Sequence, residues 1–293
     1  MKTNKDKAAF MSVVAAVFLT SFKMVVGFLT GSLGILSEAL HSLLDFVAAF
    51  ITFVAVKISD KPADKDHNFG HGKIENLSAL IETGLLIATC VWIVYEALER
   101  LASGNTQIEV SFWAYAVVIT SICVDFFRSR ALMKAAKEHN SQALEADALH
   151  FSTDILSSAV VLVGLIMAHY GYFFADCIAA LAVACIVVFV SLRLGARSID
   201  DLLDKAPKEA VGKISMAISS VDDIIYFHDL RVRNSGADMQ VEVSIHVDPH
   251  LTILQAHDIA EKLEKAVQTV EPRADVHVHI EPESEGSANL HRT

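Results

Sequence analysis

Six blocks of apolar sequence, each about twenty residues long, constrain this chain more than any other feature. They run at about Ala8–Leu29, Gly34–Val56, Leu77–Leu98, Val110–Phe127, Ala148–Ala168 and Tyr172–Leu192. At a rise of about 1.5 Å per residue, each is long enough to cross a hydrocarbon core of roughly 30 Å as a helix. The intervals between them are too polar or too Gly-rich to be further membrane. The expected fold class is therefore an α-helical membrane protein with six transmembrane helices, over residues 1–206. A small α+β cytoplasmic domain follows, over residues 207–293.

The loops give the orientation. Lys2, Lys5 and Lys7 precede the first block; Lys57, Lys61, Lys65 and Lys73 lie between the second and third. Arg128, Arg130, Lys134 and Lys137 follow the fourth, and Arg193 and Arg197 end the sixth, whereas the opposite loops hold only Arg100. Basic loops stay on the cytoplasmic side, so both termini are expected there. The expected location is the bacterial inner (plasma) membrane, and no cleavable signal is evident. The formal charge of −11 is uneven: residues 207–293 carry 8 basic and 15 acidic groups. Such an acidic domain argues against nucleic acid as a partner and suits cations. Cys90, Cys123, Cys177 and Cys185 all lie in apolar blocks without Cys-x-x-Cys spacing, and read as small buried hydrophobes.

From Ala206-Pro207 the sequence changes to that of a water-soluble domain. Residues 208–219 suit a helix and Ile224–Arg233 a strand, with turn chemistry at Asn234-Ser235-Gly236-Ala237. In the next strand Met239, Val241, Val243, Ile245 and Val247 alternate with Gln240, Glu242, Ser244 and His246. Thr252 with Gln255 forms a capping box opening a helix to about Thr269. A last strand sets Val276, Val278 and Ile280 against His277, His279 and Glu281. The order is α-β-β-α-β, a three-stranded sheet backed by two helices, with residues 283–293 expected to be disordered.

Metal-ligand chemistry is concentrated in three places. Ser37-Glu38-Ala39-Leu40-His41-Ser42-Leu43-Leu44-Asp45 and Ala146-Asp147-Ala148-Leu149-His150-Phe151-Ser152-Thr153-Asp154 both read acid-Ala-Leu-His-x-x-x-Asp. Residues i and i+4 share a helix face, so each copy aims one imidazole and one carboxylate the same way. Two such helices face to face gather His41, Asp45, His150 and Asp154, a tetrahedral set suited to Zn²⁺. A satisfied core histidine explains a single copy; the doubling inside apolar helices argues for an ion path. Between the second and third blocks, Asp64, His67 and His71 supply three ligands at spacings of 3 and 4, the alternative being a plain polar connection. In the soluble domain His228, His246, His257, His277 and His279, with Glu281, crowd about fifty residues; the alternative there is solvated surface.

Together these features resemble the cation diffusion facilitators, the zinc-type metal/proton antiporters, over essentially residues 8–282. The resemblance rests on the six helices, the paired motifs on the second and fifth, the Asp64–Lys73 loop and the compact terminal domain. It implies a homodimer, a terminal domain that binds metal and dimerises, and alternating access around the transmembrane site. It also implies a charge interlock, for which Lys73 and Asp204 stand in the matching motifs. Many bacterial members carry Asp where this chain has His41, and the His-Asp/His-Asp set is more like the zinc-selective eukaryotic branch. Members with a binuclear soluble site usually place the strand histidine where Ser244 stands; His246 is two residues on.

The function expected is efflux of divalent transition-metal cations, foremost Zn²⁺, in exchange for protons. Protons compete with the metal for the same imidazoles and carboxylates. Zn²⁺ is then the substrate and a structural or regulatory ligand, with no organic cofactor. Expected partners are divalent metal ions, protons, the lipid bilayer and a second copy of the chain. The alternatives are an Fe²⁺, Co²⁺ or Cd²⁺ exporter of the same fold, or a non-transporting metal-sensing or structural partner. No His-Glu-x-x-His helix is present, so no enzyme is expected.

Overall fold

The computed structural model describes residues 4–31, 33–103, 112–169 and 174–283. The tail expected to be disordered beyond Glu283 lies outside the described residues, as do the side chains of Asp176 and Cys177. The chain divides into two compact units, Met1–Pro62 with Lys73–Ile199, and Ala63–Gly72 with Asp200–Thr293. The expected boundary at residue 206 thus falls a few residues later than this division, and the Ala63–Gly72 segment groups with the soluble unit.

The first unit is built from α1 (Asn4–Thr30), α2 (Leu33–Ser59), α3 (Ile74–Ser103), α4 (Phe112–His139), α5 (Gln142–His169) and α6 (Phe174–Leu202), whose last three residues belong to the second unit. Among the described residues, four stretches are long and apolar enough to cross a membrane: Asn4–Thr30, Glu38–Ser59, Ile74–Glu99 and Leu181–Leu202. Helices α4 and α5 match them in length but carry Asp125, Arg128, Asp147, His150 and Asp154. Large apolar side chains such as Phe28, Leu29, Trp92, Phe127 and Phe189 point outwards, as a lipid-facing surface requires. Inside, Ala9, Ala16, Ala49, Ala135, Ala136, Ala143 and Ala148 line the contacts among α1, α2, α4 and α5. Without hydrophobic drive between helices in lipid, small residues and buried polar bonds hold them together.

Those polar bonds carry the helices beyond the apolar blocks. Arg128, expected in a cytoplasmic loop, instead lies within α4 and is 6% exposed. Its Nε donates to Ser12 Oγ at 2.8 Å, and Ser12 in turn donates to Asp147 Oδ2 at 2.8 Å. Asp125 Oδ1 is 3.8 Å from Arg128 Nη1. Lys5 is also buried, donating to Asp60 at 2.8 Å and to Ser59 at 3.2 Å and contacting Glu75. Lys23 pairs with Glu38 at 3.1 Å. Asn140, in the left-handed region at φ 50°, ends α4; Ser141 then accepts the Leu144 N–H and donates to Glu75, opening α5.

The second unit contains α7 (Lys208–Ser219), β1 (Tyr226–Ser235), β2 (Asp238–Val247), α8 (Ile253–Val270) and β3 (Ala274–Pro282). The sheet order is β1-β2-β3, with β1 antiparallel and β3 parallel to β2. A parallel pair needs a crossover, and α8 supplies it. Thr252 and Gln255 close both halves of the capping box. Ile214, Ile218, Val241, Val243, Ile245, Leu263 and Val267 form a core no more than 2% exposed. Burying each such large side chain contributes about 1.5–3 kcal/mol.

Segment 63–72 docks on the β1–β2 hairpin through two glycines. Gly236 sits at φ +63° in the turn, and a side chain on Gly72 would lie 2.7 Å from the Ser235 carbonyl carbon. Only bare backbone allows that approach. Beside it, the Arg233 guanidinium stacks over Phe69 at 4.5 Å.

Candidate metal centres

The transmembrane motif sits where α2 faces α5. Helical spacing turns His41 and Asp45 to one face of α2, and His150 and Asp154 to one face of α5. His150 Nε2 lies 3.2 Å from Asp45 Oδ1 and 3.7 Å from Asp154 Oδ2. One donor atom from each of Asp45, His150 and Asp154 can be chosen so that all three lie within 4.8 Å of one another. His41 joins from the more open side, its Nε2 3.8 Å from Asp45 and 3.9 Å from Asp154. His150 is 4% exposed. Beside the motif, Thr20 donates to the Ser42 carbonyl at 2.8 Å, fixing α1 to α2. Ser129 and Ser152, 2.6 Å apart, tie α4 to α5. Phe151, edge-on to His150 at 5.1 Å, carries the Arg128 guanidinium on its ring at 3.2 Å. Two imidazoles and two carboxylates thus converge in a packed, polar-braced pocket.

The segment cluster belongs to the second unit. Asp64 lies 3.6 Å from His67 Nδ1 and 3.5 Å from His71 Nε2, and the two rings are 4.4 Å apart. Asp64 Oδ1 accepts the backbone N–H of His67 at 2.7 Å and of Asp66 at 3.0 Å. Those bonds, the His67 N–H foremost, hold the Asp64 carboxyl below its ordinary range. The segment is thus a turn closed by its own candidate ligand.

In the sheet, the structure selects three of the six expected residues. His228 Nε2 is 3.2 Å from His246 Nε2, which is 3.3 Å from Glu281 Oε2. Donor atoms of His228, His246 and Glu281 can be chosen within 4.8 Å of one another. Strand register explains this: His246 stands opposite Tyr226 on one side and Glu281 on the other. A register shift between His228 and Arg231, with Asp229 at φ 51°, turns His228 towards the pair. His246, expected on a solvated polar face, is 2% exposed, because Tyr226 stacks on it at 4.0 Å. Although two residues from Ser244, it reaches His228. His279 stands at the edge, 3.4 Å from Glu281. His257, on α8, is exposed beside Glu261 at 3.6 Å, and His277 is exposed opposite Glu242. Neither joins the cluster: α8, which carries His257, backs the sheet's apolar face, and register sets His277 against Glu242 rather than His246.

Of the suggested interlock, Lys73 falls in the first unit and Asp204 in the second, where Asp204 accepts from Arg233 Nη1 at 3.3 Å. Sequence reading passes over Glu82, which is buried; it takes Asp147 only as the acid of the second motif copy and Arg128 as a loop charge, and both are buried as well. An acid inside the apolar block Leu77–Leu98 was the available signal for Glu82.

Residues 9–203 match the family of the cation efflux transmembrane domain, and residues 206–283 that of the cation efflux protein cytoplasmic domain. A cation-efflux pump FieF of Citrobacter koseri is 31% identical over 282 residues, covering 94% of this chain and 92% of the relative. An uncharacterized transporter of Methanocaldococcus jannaschii is 33% identical over 278 residues, covering 94% and 98%. A nickel form of a MamM CTD variant is 29% identical and covers 27% of this chain and 100% of that one, at a TM-score of 0.26. A match running through both domains, over a six-helix unit with paired His-Asp motifs, makes this chain a cation efflux transporter of the cation diffusion facilitator family.

Proposed function

We propose that the chain exports Zn²⁺ from the cytoplasm in exchange for protons, with His41, Asp45, His150 and Asp154 as the transport ligands. The observation that carries this reading is the convergence of two imidazoles and two carboxylates between α2 and α5. Borderline nitrogen and hard oxygen donors in a compact set favour Zn²⁺ over larger ions. Neutral imidazole and ionised carboxylate bind the metal, and protons arriving from outside displace it by occupying the same atoms. Alternating access then needs differential affinity between the two faces, which the proton supply provides.

The rest of the proposal is organised around that centre. The chain acts as a homodimer in an inner membrane, with both termini cytoplasmic. His228, His246 and Glu281, and separately Asp64, His67 and His71, bind metal as regulatory or structural ligands. The test is uptake of Zn²⁺ into sealed vesicles with internal pH read at the same time. Wild type should move both ions, and Asp154→Ala should abolish uptake while leaving folding and dimerisation intact. Wild-type rates in Asp154→Ala would overturn the assignment.

A further inference from the structure

Glu82, on α3, is the buried acid that the four-ligand centre does not use. It is 0% exposed. One carboxyl oxygen takes the Thr52 hydroxyl from α2; the other, Oε2, has no hydrogen-bond partner among the described residues. The charged groups whose fields act on it are Asp147 on α5 and Arg128 on α4. Arg128 is already committed: it reaches Asp147 through Ser12, lies beside Asp125, and stacks on Phe151. One guanidinium therefore stands among three buried carboxyl groups.

Among the described residues nothing bonds Oε2, and a buried acid at membrane depth marks an ion or proton path by default. Its position matters as well. Thr52 is seven residues from Asp45 on the same face of α2, about 10 Å along the axis. It lies towards the end of α2 from which the chain runs on to residues 60–72. Glu82 thus lies between the transport ligands and the end of α2 that leads into residues 60–72.

We propose that Glu82 is a second proton-binding site of the membrane unit, which carries a proton while sealed and releases it when the cytoplasmic side opens and water reaches it. The step is a plain protonation of one carboxyl oxygen, with the proton supplied from outside and delivered inside. This rests on the proton-exchange reading above and adds to it a carrier that is not a metal ligand. Glu82→Gln keeps the shape and the bond to Thr52 but has no titratable group, and it leaves the metal ligands intact.

The test reconstitutes the full chain in vesicles and measures protons moved per Zn²⁺, in wild type, Glu82→Gln and Glu82→Asp. Zn²⁺ uptake should persist in Glu82→Gln with about one proton fewer per ion, and Glu82→Asp should restore the wild-type ratio. Equal ratios in wild type and Glu82→Gln overturn the assignment of Glu82 alone. A wild type that moves no protons overturns the exchange reading, and this proposal with it. Infrared spectra of the metal-free protein at neutral pH give a readout independent of transport. A protonated carboxyl C=O band should be present in wild type and lost in Glu82→Gln; a band unchanged by the substitution refutes a protonated Glu82.

Discussion

Glu281→Gln in the isolated residues 206–293 tests the sheet centre quantitatively. The fragment contains its own core, from Ile214 through Val267, so its melting is measurable without the membrane unit. Gln has the volume of Glu and keeps a carbonyl oxygen opposite His246, so the metal-free protein should melt within a few degrees of wild type. What it removes is the anionic donor 3.3 Å from His246 Nε2 and 3.8 Å from His228 Nε2. In wild type, Zn²⁺ at a hundred times its dissociation constant adds about 2.7 kcal/mol to the folded state. For a domain of this size about 1 kcal/mol moves the melting temperature by roughly 4–8 °C, so the expected rise is on the order of 10–20 °C. Losing one donor of three should weaken binding by at least about tenfold, the effect usual for losing even an outer-shell partner. At the same Zn²⁺ concentration tenfold weaker binding takes away about 1.4 kcal/mol, roughly half of the rise. Differential scanning calorimetry with and without Zn²⁺ reads both numbers. An equal rise in wild type and Glu281→Gln would show that the metal sits elsewhere. No rise in either would refute a metal centre at His228, His246 and Glu281 and leave them a metal-free polar cluster.

Other substitutions test the remaining centres. His41→Asp should stay active towards Zn²⁺ but gain Cd²⁺ or Mn²⁺ transport, since one nitrogen with three carboxylates is a harder and larger set; competition uptake at fixed pH measures it, and unchanged relative rates would place selectivity in the backbone. Asp64→Asn should preserve the turn, because its carbonyl oxygen can still accept the His67 and Asp66 N–H groups, yet weaken metal binding to that segment, whereas Asp64→Ala should lose both. Because Asp64 is held below its ordinary carboxylate range, the order it gives the turn is present at neutral pH and goes only as pH falls through that lowered value. Amide exchange at His67 and Gly70 against pH checks this, and loss of protection at neutral pH would contradict it.

The six helices were legible because length and oiliness are local properties, whereas their ends were not. Arg128 follows the last apolar residue of its block and reads as a loop charge. It remains inside α4 because Ser12, Asp125 and the Phe151 ring, far off in sequence, receive it. Lys5 repeats the lesson through Asp60, Ser59 and Glu75. The paired motif was legible because a spacing of four fixes a helix face before any packing is known. In the soluble domain the alternation assigned histidines to a face without saying which neighbours each would meet. That choice belongs to register, which sets His246 against Glu281, and to the irregularity at Asp229, which turns His228. His277, on the same strand face as Glu281, meets Glu242 instead.

Charge balance links the two buried acid systems of the membrane unit and yields a last prediction. With a divalent ion bound, Asp45 and Asp154 are neutralised by it and both imidazoles stay neutral. Without the ion, two uncompensated carboxylates in a packed interior are costly, and two protons on the imidazoles restore neutrality. One divalent ion exchanged for two protons moves no net charge, so the four-ligand centre alone should work independently of membrane voltage. If Glu82 carries a third proton per cycle, one net charge crosses. That is worth about 2.3 kcal/mol per 100 mV, or a factor of roughly fifty in the equilibrium gradient. Vesicles clamped at opposite potentials with potassium and valinomycin, at equal pH, should therefore show a voltage-dependent Zn²⁺ gradient in wild type. In Glu82→Gln that dependence should vanish while uptake continues. Voltage dependence retained in Glu82→Gln would mean that the extra charge travels by another group, and Asp125, beside Arg128 on α4, would be the next to test.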